Sequence, residues 1–185
     1  MKKLPTLLLI IFSFTTFAGA QPQELGPQIP PSVLNPYKGY ANITELTYGI
    51  GLLETDSPYA KYLAGLTTVN GYQINRFFIT GAGIGLMFYN DGFLVPLYLG
   101  GRFSYPAINT KISWYVNADA GTLLNFEDFN NGTRLFINPL IGVRYTMKST
   151  IAANFGIGIF TQMGPGVNRD SFLNFKLGVI VLPQR

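Results

Sequence analysis

From Tyr40 to Val181, apolar and polar positions alternate with a period of two, in eight stretches separated by turn-forming residues. That period is the pattern of strands with one face in an apolar environment and one in a polar environment. The alternation predicts strands at Tyr40–Leu53, Tyr62–Ile74, Phe77–Tyr89, Phe93–Tyr105, Lys111–Leu124, Thr133–Tyr145, Ile151–Met163 and Ser171–Val181. The breaks carry turn chemistry: Asp56-Ser57-Pro58, Asn75-Arg76, Asn90-Asp91-Gly92, Pro106 to Thr110, Asn125 to Gly132, Met147-Lys148-Ser149 and Gly164-Pro165-Gly166. All are short enough to join antiparallel neighbours. No stretch offers the roughly 18 uninterrupted apolar residues of a spanning helix. Phe77–Tyr89 comes nearest, and Gly81, Gly83 and Gly85 interrupt it.

Because successive side chains of a strand point to opposite sides, splitting each stretch by parity separates two faces. One holds residues such as Leu46, Tyr48, Ile50, Leu97, Leu99, Trp114, Ile137, Ile157 and Leu177, carries no charge and has Gly101 as its one glycine. The other holds Glu45, Arg102, Lys111, Asp119, Arg134, Arg144 and Lys176 together with most of the strand glycines, among them Gly83, Gly85, Gly100, Gly156 and Gly178. The second stretch does not sort. Leu63 and Val69 share one parity, Leu66, Tyr72 and Ile74 the other, and Gly65 and Gly71 would accommodate a bulge.

Composition decides which face is outside. The chain is 48% hydrophobic and only 12% charged, against about 25% charged in ordinary soluble domains. An eight-stranded barrel has an interior just wide enough to be filled by side chains. The large apolar residues would crowd that space, whereas the glycine-rich charged face fits it. The apolar face therefore turns to lipid, and a closed barrel is the one β architecture that spans a bilayer. Aromatic residues near strand ends (Tyr40, Tyr72, Phe77, Tyr89, Phe93, Tyr105, Tyr145 and Phe172) suit interfacial girdles. The alternative, a soluble secreted lipocalin-like barrel binding an apolar ligand, needs the faces reversed.

The N-terminal residues add an address. Lys2 and Lys3, the apolar run Leu7–Phe12 and the small residues Ala18-Gly19-Ala20 form a secretory signal peptide, residues 1–20. Residues 21–37 follow as a proline-rich extended leader (Pro22, Pro27, Pro30, Pro31 and Pro36), and residues 38–185 form the barrel domain. Half of the formal net charge of +4 leaves with Lys2 and Lys3, which removes the main argument for a nucleic-acid partner.

Lys38-Gly39-Tyr40 opening the first strand, Asn70-Gly71-Tyr72-Gln73-Ile74, Gly81-x-Gly83-x-Gly85, and Pro96-Leu97-Tyr98-Leu99 with Arg102 resemble the small outer-membrane β-barrel proteins of OmpA/OmpX type, in particular the outer-membrane β-barrel domain proteins of Bacteroidota. The resemblance covers residues 38 to 181. It implies an all-β, eight-stranded antiparallel up-and-down transmembrane β-barrel in the outer membrane, with both termini periplasmic and the longer connections outside. It also implies two partners, outer-membrane lipid and the outer-membrane assembly machinery. Such barrels commonly end in an aromatic residue, whereas this sequence ends Leu182-Pro183-Gln184-Arg185. An assembly signal would then sit earlier, near Phe172 to Val181, or be of another kind.

The candidate chemistry is confined to the inward face. Glu45, Arg102, Asp119, Arg144 and Lys176 project into one narrow lumen, where buried charges require partners. They form the predicted interior charge cluster, a salt-bridge network plugging the barrel; a polar path or ligand cluster is the competing reading. Catalysis has little to build on. The chain has no histidine and no cysteine, which removes the commonest general base and metal ligand and all thiolate chemistry. No catalytic, metal or cofactor residues are assigned. A barrel-type lipid-modifying enzyme is the remaining catalytic alternative, and it could not depend on histidine. Gly81-Ala82-Gly83-Ile84-Gly85 lacks the G-x-G-x-x-G spacing of a nucleotide loop. The sequons Asn42-Ile43-Thr44 and Asn131-Gly132-Thr133 are incidental in a bacterial protein.

Overall fold

A computed structural model of the protein describes residues 38–52, 59–106, 111–126, 132–164 and 169–183. The signal peptide and the proline-rich leader lie outside the described residues. So do Asp56-Ser57-Pro58 and most of the breaks at 106–110, 125–132 and 164–166.

Eight strands follow one another: β1 (Gly39–Gly51), β2 (Tyr62–Gln73), β3 (Phe78–Tyr89), β4 (Gly92–Pro106), β5 (Ile112–Leu124), β6 (Arg134–Lys148), β7 (Ile151–Met163) and β8 (Asp170–Val181). Each pairs antiparallel with its sequence neighbours, and β8 returns to β1 with Leu46 opposite Leu177, closing the barrel. Closure leaves no strand edge with unpaired backbone groups, the condition for a sheet to lie in lipid. The start of β1 and the end of β8 stand at one end of the barrel, Asn42 lying opposite Val181.

The turns show local causes. After β2, the Asn75 side chain accepts from the amides of Phe77 and Phe78 at 2.8 and 3.0 Å, ending the strand at Gln73, just before the predicted Ile74. Between β3 and β4, Tyr89 faces Gly92 across a tight turn in which Gly92 adopts φ +140°, a conformation open to glycine and strained for other residues. The β6–β7 turn corrects the sequence reading. A register shift between Thr146 and Lys148 carries β6 on to Lys148, so the turn falls at Ser149–Thr150 and not at Met147–Ser149. Lys111, expected as an inward strand residue, is exposed just before β5.

Burial alternates residue by residue along β1 from Ala41 to Ile50, as parity requires. The outward face is a mainly apolar belt in which Leu99 is 72% exposed, Leu46 60% and Leu177 58%. The soluble alternative, with this face inside, is not the arrangement found. Exposed Tyr40, Tyr72, Tyr105, Trp114 and Tyr145 ring the terminal end, and Phe77 stacks there on Phe103 with centroids 5.9 Å apart. Tyr48, Tyr62 and Phe88 stand toward the other end. Two of the expected girdle residues belong elsewhere: Tyr89 and Phe172 are buried in the lumen. Strand-end position told where along the barrel they lie, and parity put them inside.

β2 needs no bulge. Its pairing with β1 and β3 runs without a shift, Leu63 and Val69 pointing in and Leu66 and Tyr72 out. Its mixed parity reflects a lumen that is layered rather than uniformly polar. Ala41, Ile43, Val69, Ile79, Ala152, Ile180 and Leu182 fill the terminal end, and Leu63, Met87, Leu94, Leu123, Phe136, Phe160 and Phe172 fill the other. The charges lie between.

Candidate functional site: the charged lumen

The inward parity of four strands brings Glu45 (β1), Arg102 (β4), Asp119 (β5) and Lys176 (β8) to one level. Each is almost wholly buried, Glu45, Arg102 and Lys176 to 2% exposure. They form a continuous alternating chain. Lys176 Nζ lies 2.6 Å from Asp119 Oδ2 and 3.2 Å from Glu45 Oε2, and Arg102 Nη2 lies 2.6 Å from Glu45 Oε1. Two carboxylates therefore meet two cations; Arg102 reaches Glu45 and Lys176 reaches Asp119 across the lumen, while Lys176 also holds Glu45 from the adjacent strand.

Neutral groups complete the coordination. Asn154 Nδ2 donates to Glu45 Oε1 at 2.6 Å, and the Arg102 guanidinium lies over the Tyr115 ring at 4.4 Å. Asn174 donates to Asn138 at 3.0 Å nearby. Glycines make the space. A Cβ at Gly178 would stand 2.7 Å from Glu45 Cγ, one at Gly100 would stand 2.6 Å from Asp119 Oδ1, and one at Gly83 would strike the Tyr98 ring. The glycine-rich inward face thus places bare backbone opposite the largest and most polar side chains.

Arg144, the fifth residue of the predicted cluster, is buried on β6. It lies in register with Ser113 and Asn154, toward the terminal end from Asp119 and its partner Asn138. Beside the chain of four, Glu45, Arg102, Asn117 and Asp119 border a cavity of about 10 Å³, roughly the space of one water molecule. Among the described residues, Arg102 Nη1 and Asn117 Nδ2 find no acceptor there. A space of that size admits no organic substrate, and both carboxylates are engaged by cations.

A second polar group lies at the loop end, and sequence reasoning missed it. Arg134 Nη1 is 2.9 Å from Asp170 Oδ2, which also accepts from Gln162 Nε2 at 3.3 Å. Gln162 bonds the Tyr59 carbonyl at 3.1 Å and receives the Tyr89 hydroxyl at 3.2 Å. Arg134 lies over the Tyr59 ring at 4.7 Å, and Asn125 Nδ2 donates to the Tyr59 hydroxyl at 3.4 Å. β8 begins at Asp170, one residue before the predicted Ser171, and Asp170 shares the inward parity of Asn174 and Lys176. Tyr59, in a connection, carried no periodic signal. Between the two groups runs a series of rings, Tyr98, Phe136, Phe160, Phe172, Tyr89 and Tyr59, with successive centroids 5.0 to 6.1 Å apart.

No protein-family model matches the chain, and no curated protein matches it. Solved structures do share its fold. Neisserial surface protein A superposes with a TM-score of 0.57 at 13% identity, over 77% of this chain and 96% of that one. The N-terminal β-barrel domain of Pseudomonas aeruginosa OprF gives 0.47 at 14% identity, over 77% and 98%. A de novo designed transmembrane β-barrel gives 0.44 at 17% identity, over 80% and 97%. At such identities the likeness is one of architecture. The chain is a closed eight-stranded antiparallel barrel, the fold it shares with neisserial surface protein A.

Proposed function

We propose that this protein resides in the outer membrane as an occluded, non-catalytic barrel and acts through the surface of its loop end. One observation carries this reading: apolar side chains are exposed all around the barrel while the inward charges of four strands neutralise one another inside it. A lumen packed in this way does not conduct solutes; open aqueous channels belong to barrels of about 16 strands. Export through the signal peptide at residues 1–20 would bring the chain to the periplasm, with outer-membrane lipid and the assembly machinery as its first partners. The barrel end that carries Gly39, Val181 and the connections 74–77 and 149–150 then faces the periplasm, and the opposite end, with the 90–91 turn and Tyr59, faces outward.

The test is gel migration of the protein from washed outer membranes, unboiled against boiled, together with conductance in planar bilayers. A shift on boiling without steady conductance is the expected result. Recovery in the soluble fraction would refute the membrane reading, sustained conductance would refute occlusion, and altered lipid chemistry in a deletion strain restored only by the intact protein would refute the non-catalytic role.

A further inference from the structure

Four neighbouring polar side chains interrupt the apolar belt on β1 and β2. On the membrane face of β1 and β2, Asn42 stands opposite Asn70 and Thr44 opposite Thr68, beginning one outward step beyond the paired Tyr40 and Tyr72. At about 3.3 Å per residue and a strand tilt of about 40°, the asparagines lie roughly 5 Å inside the tyrosine girdle and the threonines roughly 10 Å inside. Polar side chains at that depth are costly against lipid.

Most of their capacity is used within the ladder. Asn42 Nδ2 donates to Thr68 Oγ1 at 3.1 Å and to Asn70 Oδ1 at 3.2 Å, Thr44 donates to Asn42 Oδ1 at 3.1 Å, and the Tyr40 hydroxyl donates to Asn70 Oδ1 at 2.6 Å. The Asn70 amide nitrogen donates to nothing among the described residues, and Asn70 is exposed. The next strand presents Ala82 opposite Asn70, so no bulky side chain stands over the amide from that side.

We propose that this ladder is the self-association surface of the barrel, covered in the membrane by the same ladder of a second copy. The inference rests on the membrane reading above. Between apolar surfaces in lipid there is no hydrophobic drive to associate, so small and polar residues mark the contacts. A twofold contact brings a patch against itself and requires self-complementary chemistry. Asparagine supplies it, with a donor left on Asn70 and acceptor capacity on Asn42 Oδ1. A phospholipid matches less well: its ester region offers acceptors only, and at the depth of Thr44 and Thr68 it offers hydrocarbon.

The chain has no cysteine, so a single introduced thiol is a unique probe. Leu66→Cys lies beside the ladder, and Ile141→Cys lies on β6, away from it; both positions are exposed. Each variant is treated with a bismaleimide in native outer membranes, and each is also run unboiled and boiled. The expected result is a crosslinked pair from Leu66→Cys and none from Ile141→Cys, reduced to background when Asn42→Leu and Asn70→Leu are added. No pair from Leu66→Cys with heat-modifiable migration intact overturns the proposal and leaves the membrane reading standing. A pair that persists without the asparagines overturns it also, as does a phospholipid retained through Asn70 by a barrel that forms no pair. Loss of heat-modifiable migration from the parent protein itself overturns the membrane reading and the proposal with it.

Discussion

The two buried polar groups of the lumen use the same kinds of side chain to different ends. The central chain of Asp119, Lys176, Glu45 and Arg102 draws on four strands and contains two carboxylates against two cations. The group at the loop end pairs Arg134 with Asp170 and links Gln162 to Asp170 and Tyr89, and it alone of the two also ties in Tyr59, in a connection between strands. The centre joins strands across the barrel, so its loss is felt by the whole closed sheet. The mouth joins a loop to the sheet, so its loss is felt first by the loop. Burial alone does not separate them; what each group is tied to does.

Removing Glu45 should have the largest effect. Glu45→Ala leaves Arg102 and Lys176 buried with one carboxylate between them, and breaking a buried pair in this way costs about 3–5 kcal/mol. The urea midpoint for loss of the fast-migrating folded band should fall clearly. If Arg134→Ala lowers it as much, the distinction between centre and mouth is lost.

Filling the lumen should come next. Gly83→Ala drives a methyl into the Tyr98 ring, an overpacking worth about 1–3 kcal/mol. Gly101→Ala, whose Cβ would meet Phe78 at an ordinary 3.5 Å on the lipid side, should leave the midpoint unchanged. Equal responses from the two would mean that inward glycines are not there for clearance.

The mouth should respond less. Asp170→Asn removes the carboxylate that Arg134 and Gln162 share, and about 1–3 kcal/mol is expected for losing hydrogen bonds to a charged group. The same urea titration reads the change, which should fall below that of Glu45→Ala. Smallest on the midpoint should be Tyr59→Ala, which removes the ring under Arg134 and the hydroxyl that accepts from Asn125. Its effect should appear as faster proteolysis within 52–61 on intact cells. A large fall in midpoint without faster cleavage would place Tyr59 among the barrel's own supports.

Much of this was legible in the sequence because strand parity is a local property. Leu46 out and Glu45 in, Leu99 out and Arg102 in, follow from alternation alone, and the structure has them so. The eight strands and their up-and-down order follow from turn residues and short connections. Sorting by polarity fails where the lumen changes character along its axis. β2 does not sort because Leu63 and Val69 belong to opposite apolar ends of the interior, and Phe172 and Tyr89 lie in the lumen and not in a girdle because a strand end can face inward.

Sequence by itself determined which side of the sheet each residue takes, because the period of a strand is set by its backbone. Which inward residues meet was decided only by closure of the barrel. Glu45 and Arg102 are 57 residues apart, as are Asp119 and Lys176, and nothing in either neighbourhood names its partner. The register around the ring and the narrowness of the lumen bring them within 2.6 Å, where each charge finds in the other a substitute for water.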